Sequence, residues 1–259
     1  MALHTDAGPL EQGAIRLGLR LGEPELAQFR RYHQTLAEWN TRVNLTSVTE
    51  WDAVLTTHFL DSLTVVQAIP EPVLRGGAVL DVGSGAGFPG VPLKIAFPQI
   101  ALSLVEATGK KAAFLTHLLR ELGLRDVQVL NARAEDLAHD PRHREQYDVV
   151  LARALAPLPT LVELTLPFVK LGGRLIAQKK GDELAELDAA AYAVQQLGGR
   201  LEQVQPIDQP ALSGARALVV VSKVSPSPDR YPRRSGMPAH RPLAAPKAAR
   251  AALEAAPNA

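Results

Sequence analysis

Eleven residues, Leu80 to Gly90 (LDVGSGAGFPG), constrain the fold of this chain more than any other segment. They place Gly83, Gly85, Gly87 and Gly90 directly behind the apolar run Gly77 to Leu80, with Asp81 two residues ahead of the first of these glycines. Glycine reaches positive φ without steric cost and lets a ligand approach the backbone, so a glycine-dense turn leaving a buried strand floors a nucleotide-like pocket. The next apolar run, Ile100 to Val105, ends in Glu106. An acid at that spacing, roughly twenty residues on, accepts hydrogen bonds from two ribose hydroxyls, so an adenosine-bearing cofactor is expected.

The neighbours of the turn select among such cofactors. GAGFPG satisfies the dinucleotide fingerprint literally, which leaves a nicotinamide-dependent oxidoreductase as an alternative. Pyrophosphate wants free backbone N–H groups and positive potential at a helix start. Pro89 and Pro92 remove donors there, and Asp81 adds an acid before the turn. S-adenosylmethionine carries no phosphate and presents a sulfonium and an ammonium, which suit a carboxylate. The acidic turn therefore favours methyl transfer over hydride transfer.

The rest of the chain has the layout of an α/β protein. Ahead of the glycine turn, Leu26, Phe29, Leu36 and Trp39 fall on one face of a helix over Pro24 to Trp39. A second helix is expected from Thr49, with Asp52 answering its hydroxyl, and Pro70 and Pro72 close this helical preface. From Ala78 strands alternate with helices, the signature of a parallel sheet covered on both faces. Strands are predicted at Ala78 to Val82, Ile100 to Glu106, Val127 to Asn131, Tyr147 to Ala152 and Arg174 to Gln178. Two more, Leu201 to Ile207 and Arg216 to Lys223, follow without an intervening helix, so the sheet should end in an antiparallel hairpin. The intervening helices are expected from Thr108 to Leu122, from Pro157 to a stop at Gly172 and Gly173, and from Asp182 to Leu197. The expected organisation is an N-terminal helical extension (1–75), a cofactor-binding domain (76–224) and a basic, proline-rich C-terminal arm (225–259).

Composition limits the chemistry. The 259 residues contain no cysteine, which excludes disulfides, thiolate metal sites and cysteine nucleophiles, covalent pyrimidine C5 methylation included. No apolar run reaches membrane-spanning length, and a cytoplasmic monomer is the default expectation. The net charge of +1 hides a split: residues 223–259 hold seven of the 28 Lys and Arg against two of the 27 acids, or +5, leaving 21 against 25, or −4, in the body. Such a tail attracts a polyanion in a salt-dependent way. Seven prolines beyond Lys223 predict that it is extended or partly disordered. A non-enzymatic RNA-binding factor with a vestigial cofactor site is a further alternative.

Several phrases taken together carry a family resemblance. They are NLT at Asn44 to Thr46, HFLDSL at His58 to Leu63, LDVGSGAGFPGVPLKI at Leu80 to Ile95, RAE at Arg133 to Glu135, ARA at Ala152 to Ala154, and YPRRSGMP at Tyr231 to Pro238. In these the chain resembles the small-subunit ribosomal RNA 7-methylguanosine methyltransferases, the glucose-inhibited division protein B family, from about Trp39 to Leu243. The resemblance implies a Rossmann-like class I methyltransferase fold with a seven-stranded, mostly parallel sheet. It implies S-adenosylmethionine as donor, and N7 of one guanine of 16S ribosomal RNA, free or in the small subunit, as acceptor. Carried over by position, it places cofactor contacts on Gly83, Phe88, Glu106, Ala107, Thr108, Ala134, Glu135 and Arg153.

The residue types allow second readings at three of these positions. Glu106 either binds ribose hydroxyls or is a solvated strand-end carboxylate. Glu135 either reads the adenine edge or answers a helix dipole, and Arg153 either faces the ligand or pairs with a structural carboxylate. His58 in HFLDSL is either a packed side chain or a contact to RNA or to the cofactor. Arg233 and Arg234, set between Pro232 and Gly236, are the first candidates for RNA contact, with Lys179 and Lys180 behind them. No catalytic base is assigned: guanine N7 attacks with an in-plane lone pair, and the segment after the fourth strand reads RALAP at Arg153 to Pro157, not an amine-methylase motif.

Overall fold

The computed structural model describes residues 7–245. Seven strands form one sheet: β1 (Ala78–Val82), β2 (Ala101–Val105), β3 (Val127–Leu130), β4 (Tyr147–Arg153), β5 (Val169–Lys180), β6 (Gly199–Pro206) and β7 (Arg216–Lys223). Their order is β3-β2-β1-β4-β5-β7-β6, parallel except for β7, which runs antiparallel to both β5 and β6. The chain reverses its direction of sheet growth between β1 and β4, and ligands of such sheets bind outside the carboxyl ends at that crevice.

Sequence parity sets the two faces of the sheet. Val79, Leu151, Ile176, Leu218 and Val220 point to a layer made by α1 (Gly8–Arg16), α2 (Glu23–Asn40), the helical segment 51–67, α6 (Gly90–Ala96) and α7 (Gly109–Glu121). Leu80, Val82, Val150, Ala152, Leu175 and Val221 point to the opposite layer, α8 (Ala134–Leu137), α9 (Leu158–Thr165) and α10 (Leu187–Gln196). Because both faces are covered, β1 and β4 are buried almost throughout, which is why they read as near-continuous apolar runs broken only by Asp81 in β1 and by Asp148 and the terminal Arg153 in β4. Phe29, Tyr32, Leu36, Phe59 and Leu63 are fully buried against the sheet, so the N-terminal helices form a layer of the core. Strand β6 is the exposed edge, blunted by Arg200, Glu202 and Gln203 and by a shift of register between Leu201 and Gln203.

Three sequence expectations change. The helix from Pro157 ends at Thr165, and a 3-10 turn, Leu166–Phe168, leads straight into β5. Gly172 and Gly173 therefore lie inside a strand, where the register jumps from Tyr147↔Val169 to Val149↔Arg174. Gly172 has φ +78°, and a Cβ on Gly173 would stand 2.7 Å from the carbonyl oxygen of Asp148, so the pair marks a bulge and not a helix stop. The helix expected from Thr49 begins at Trp51 with no side-chain cap. It runs from α3 (Trp51–Val54) through a π-helical stretch (Leu55–Leu60), α4 (Asp61–Leu63) and a 3-10 turn (Thr64–Gln67), and Pro72 opens α5 (Glu71–Leu74).

The C-terminal arm up to Ala245 is a docked strap, not a free extension. Arg144 donates to the carbonyls of Ser227 and Tyr231, each at 2.8 Å, and Thr160 donates to Pro238 O at 3.0 Å. The strap ends in a short helix, α11 (Met237–His240). Buried Lys223 holds its root, donating to Leu166 O and Leu197 O and pairing with Glu145. Lys223 loses its solvation there, which brings its pKa down to about 8. The alanine-rich end with Lys247 and Arg250 lies outside the described residues.

Candidate functional site

The floor of the site is the turn after β1. The N–H groups of Gly83 and Ser84 both donate to Val105 O, at 2.8 and 3.1 Å, which ties the turn to the end of β2. Gly83, Gly85 and Gly87 have φ of +73°, +56° and +96°. At Gly87 a Cβ would lie 2.6 Å from the Tyr32 hydroxyl, so glycine is needed there for space as well as conformation. The hydroxyl of Tyr32, from the N-terminal layer, donates to Ala86 O and fastens the turn from that side.

Asp81, at the end of β1, is fully buried. Its Oδ2 accepts from Gly90 N at 3.0 Å, and its Oδ1 is buried without a hydrogen-bond partner. Desolvation raises its pKa from 3.8 to about 7, against the lowering effects of the Gly90 N–H and the Arg153 charge. The start of α6 offers nothing to a pyrophosphate: Gly90 N is taken by Asp81, Val91 N donates to Gly87 O, and Pro92 has no N–H. An orphaned carboxylate oxygen and a closed helix start fit a cationic, phosphate-free cofactor.

Glu106 closes the second side. Its Oε2 accepts from Gly85 N at 3.0 Å and its Oε1 from Thr108 N at 2.7 Å. Each carboxylate oxygen keeps a second lone pair, so the group so fixed can still receive two hydroxyls. Ala107 and Thr108 are exposed in the loop that follows. Ala134 and Glu135 are buried at the start of α8, and the Glu135 Oε1 accepts from Gly236 N of the strap at 2.9 Å. The Glu135 carboxylate thus joins the strap to the loop after β3.

Arg153, the last residue of β4, pairs with Asp61 Oδ2 at 2.9 Å, reaches His58 Nδ1 at 3.3 Å, and sets its guanidinium 4.9 Å from the Phe88 ring centre. Phe88 also stacks on Tyr32 and on His58, with centroids 5.4 and 4.6 Å away. Its ring is a packing hub between the turn and the N-terminal layer. His58 sits in the π-helical stretch, and desolvation, followed by the charge of Arg153, lowers its pKa to about 4. As a neutral ring it accepts from Arg153 at Nδ1 and donates to Thr46 Oγ1 from Nε2, at 2.8 Å.

Beyond Arg153 a cleft of about 400 Å³ opens, lined by His58, Asp61, Arg153, Gln178, Lys180 and Arg216 among others. Asp61 holds both walls, with Oδ2 on Arg153 and Oδ1 3.4 Å from Arg216 Nε. Strand parity explains the membership. Gln178 pairs with Arg153 across β4 and β5, and Lys180 pairs with Arg216 across β5 and β7, so all four side chains stand on one face. Lys179 takes the other face: it is buried, bonded to Glu186 Oε2 at 2.9 Å and Ala156 O at 3.2 Å. Its expected contact with RNA gives way to a structural ion pair. Arg233 is likewise committed, with Nε and Nη2 on the buried Glu163 carboxylate at 2.8 and 2.6 Å, while Arg234 is exposed. Sequence reasoning passed over Asp61, Gln178 and Arg216, although alternation along β5 and β7 was the signal that groups the last two with Lys180. Among the described residues no group of three or more His, Asp or Glu is placed to hold a metal.

Comparison with known proteins decides the family. The profile of GidB, rRNA small subunit methyltransferase G, matches residues 25–217. The chain belongs to this family. It is 49% identical over 234 residues to the ribosomal RNA small subunit methyltransferase G of Dehalococcoides mccartyi, covering 90% of this chain and 98% of the relative. With that of Roseiflexus castenholzii it shares 50% over 230 residues, 89% of this chain and 97% of the relative. A mutant of MtNAS in complex with S-adenosylmethionine superposes with a TM-score of 0.53 at 18% identity, over 83% of this chain and 77% of that one. A SAM dependent methyltransferase from Aquifex aeolicus gives 0.50 at 18%, over 66% and 93%. Those two likenesses show the class I methyltransferase fold. As a member of its family the protein is a methyltransferase, with S-adenosylmethionine as its methyl donor.

Proposed function

We propose that the enzyme transfers the methyl group of S-adenosylmethionine to N7 of one guanine of 16S ribosomal RNA, as a monomer acting in the cytoplasm on the RNA or on the small subunit. In this reading the backbone at Gly83 and the Asp81 carboxylate receive the methionine end of the donor, Glu106 receives the ribose, and the loop of Ala107 and Thr108 and the start of α8 at Ala134 border the adenine. The donor supplies an electrophilic methyl on a sulfonium. The chain has to hold the acceptor nitrogen in line with it, away from water.

The observation that carries the reading to N7 is that the two titratable groups touching Arg153, His58 and Asp61, are both committed to other partners. Both nitrogens of neutral His58 are engaged and both oxygens of Asp61 are held by guanidiniums, so neither group next to Arg153 is poised to take a proton; Glu183, farther along the lining, accepts from Lys180 N at 2.8 Å. An exocyclic amine must shed a proton during methylation, whereas N7 attacks with a free lone pair and needs alignment alone. The cations around the cleft fit a polyanionic acceptor.

The test is transfer of labelled methyl to unmethylated small subunits and to their protein-stripped RNA, followed by nucleoside analysis. A single 7-methylguanosine is the expected product on at least one substrate. Label in any other nucleoside, or none despite tight donor binding, would overturn the reading.

A further inference from the structure

Among the described residues lining the cleft, Gln178 alone has a buried side-chain atom without a hydrogen-bond partner. It lies near the carboxyl end of β5, 6% exposed, on the same face as Arg153, Lys180 and Arg216. Its amide nitrogen donates to Asp61 O at 2.7 Å and to Thr64 Oγ1 at 3.1 Å. A peptide carbonyl can only accept, so the contact with Asp61 fixes which end of the amide is nitrogen. The other end, Oε1, is a buried acceptor without a partner, and Gln178 lines the cleft. A buried unpaired acceptor costs free energy, and its persistence here marks the place of a donor that arrives with a ligand.

The remaining lining defines that donor. Lys180 is exposed at the rim, and Arg216 is held through Nε by Asp61 with Nη1 turned to Ala215 O. The cleft thus sets positive donors beside an unpaired neutral acceptor. Guanine matches this arrangement: it presents N7 and O6 as acceptors on one edge and N1–H and the N2 amino group as donors on the next. Adenine sets an unprotonated N1 against the same oxygen, and pyrimidines have no N7.

We propose that this cleft is the acceptor-base pocket and that the Gln178 carbonyl selects guanine by accepting from its N1–H and N2 donor edge, with Lys180 and Arg216 on the O6 and phosphate side. The proposal rests on the N7 reading above and assigns to Gln178 a choice of base, not a chemical step. The reaction it serves leaves the atom count of the base edge untouched: the sulfonium loses its methyl to N7, and the N1 and N2 protons stay where they are.

The experiment uses the full chain and small subunits reconstituted with RNA carrying guanine, inosine or 2-aminopurine at the acceptor position. Inosine lacks the N2 amino group, and 2-aminopurine lacks N1–H and O6. The wild type should favour guanine by about tenfold or more in kcat/KM over at least one analogue, because a site built around a hydrogen bond rejects the base that lacks it. In Gln178→Leu and Gln178→Met that ratio should shrink towards one while donor affinity stays within about twofold. Both variants also lose the bonds to Asp61 and Thr64, so the ratio is the readout and not the absolute rate. An unchanged ratio in an active variant overturns the proposal. So does a wild type that fails to distinguish the analogues, and this arm decides if neither variant folds in a thermal melt. Nucleoside analysis of the unaltered substrate keeps the two readings apart: no 7-methylguanosine there sinks the N7 reading, whereas 7-methylguanosine with an unchanged ratio sinks only the role of Gln178.

Discussion

A carboxyl group with a pKa of about 7, buried at the end of β1 and missing one partner, is an unstable possession for a cofactor-free protein. Its folded pKa lies above the unfolded value of 3.8, so the folded state binds the proton more tightly. The stability this provides is fully present below pH 3.8 and is lost as pH rises through about 7. Asp81→Asn should therefore gain melting temperature relative to wild type as the pH goes from about 5 to 8 without donor. Donor binding should reverse the balance, because a cation beside Oδ1 favours the carboxylate. Affinity for S-adenosylmethionine should fall about tenfold per pH unit below 7 in wild type, with proton release on binding. In Asp81→Asn the affinity should be pH-independent and weaker by about ten- to a hundredfold. Calorimetry in two buffers of different ionisation enthalpy checks both, and a flat wild-type profile would place the donor's charge elsewhere.

At the level of elements, the strap after β7 shows why local pattern misled. Seven prolines and a run of cations read as an extended or partly disordered arm, yet buried Glu163 on α9 needs a cation, and Arg233 supplies it through Nε and Nη2 and adds its backbone N–H. That demand comes from a residue 70 positions away, which neither composition nor periodicity can register. The same distance effect turned Gly172 and Gly173 from a helix stop into a bulge forced by the Asp148 carbonyl, whereas strand parity gave Lys179 to Glu186. By contrast, β1, β2, β4 and β7 were legible because burial on both faces writes a near-continuous apolar run into each, and the glycine turn because its geometry needs glycines. Removing the Arg233 side chain should leave Glu163 as an uncompensated buried charge, at a cost of about 3–5 kcal/mol. Arg233→Ala should accordingly melt well below wild type and weaken donor binding through the Gly236–Glu135 link, while Arg234→Ala melts like wild type. Equal melting temperatures for the two variants would mean that the strap contributes nothing to the fold.

Over the whole molecule, charge is arranged so that the mouth of the site and not the chain at large meets a polyanion. The body outside the last 37 residues carries −4, yet Arg153, Lys180 and Arg216 converge at the carboxyl edge of the sheet, and the strap carries exposed Arg230, Arg234 and Arg241. The charge of the body and the field at this face thus have opposite signs, and a nucleic acid is drawn to one face at low salt and repelled elsewhere. Arg233, neutralised by Glu163, adds little to this field, so the cation pair expected from sequence reduces to one. The consequence is measurable in the salt dependence of methylation. Each phosphate contact removed should flatten the slope of log kcat/KM against log salt by about 0.7–0.9, provided binding and not chemistry limits the rate. Arg234→Ala and Lys180→Ala should each lower methylation and flatten the slope by that step, additively in the double variant, with donor affinity unchanged. A variant that loses activity at every salt concentration while keeping the wild-type slope would place that side chain outside the path of the phosphates.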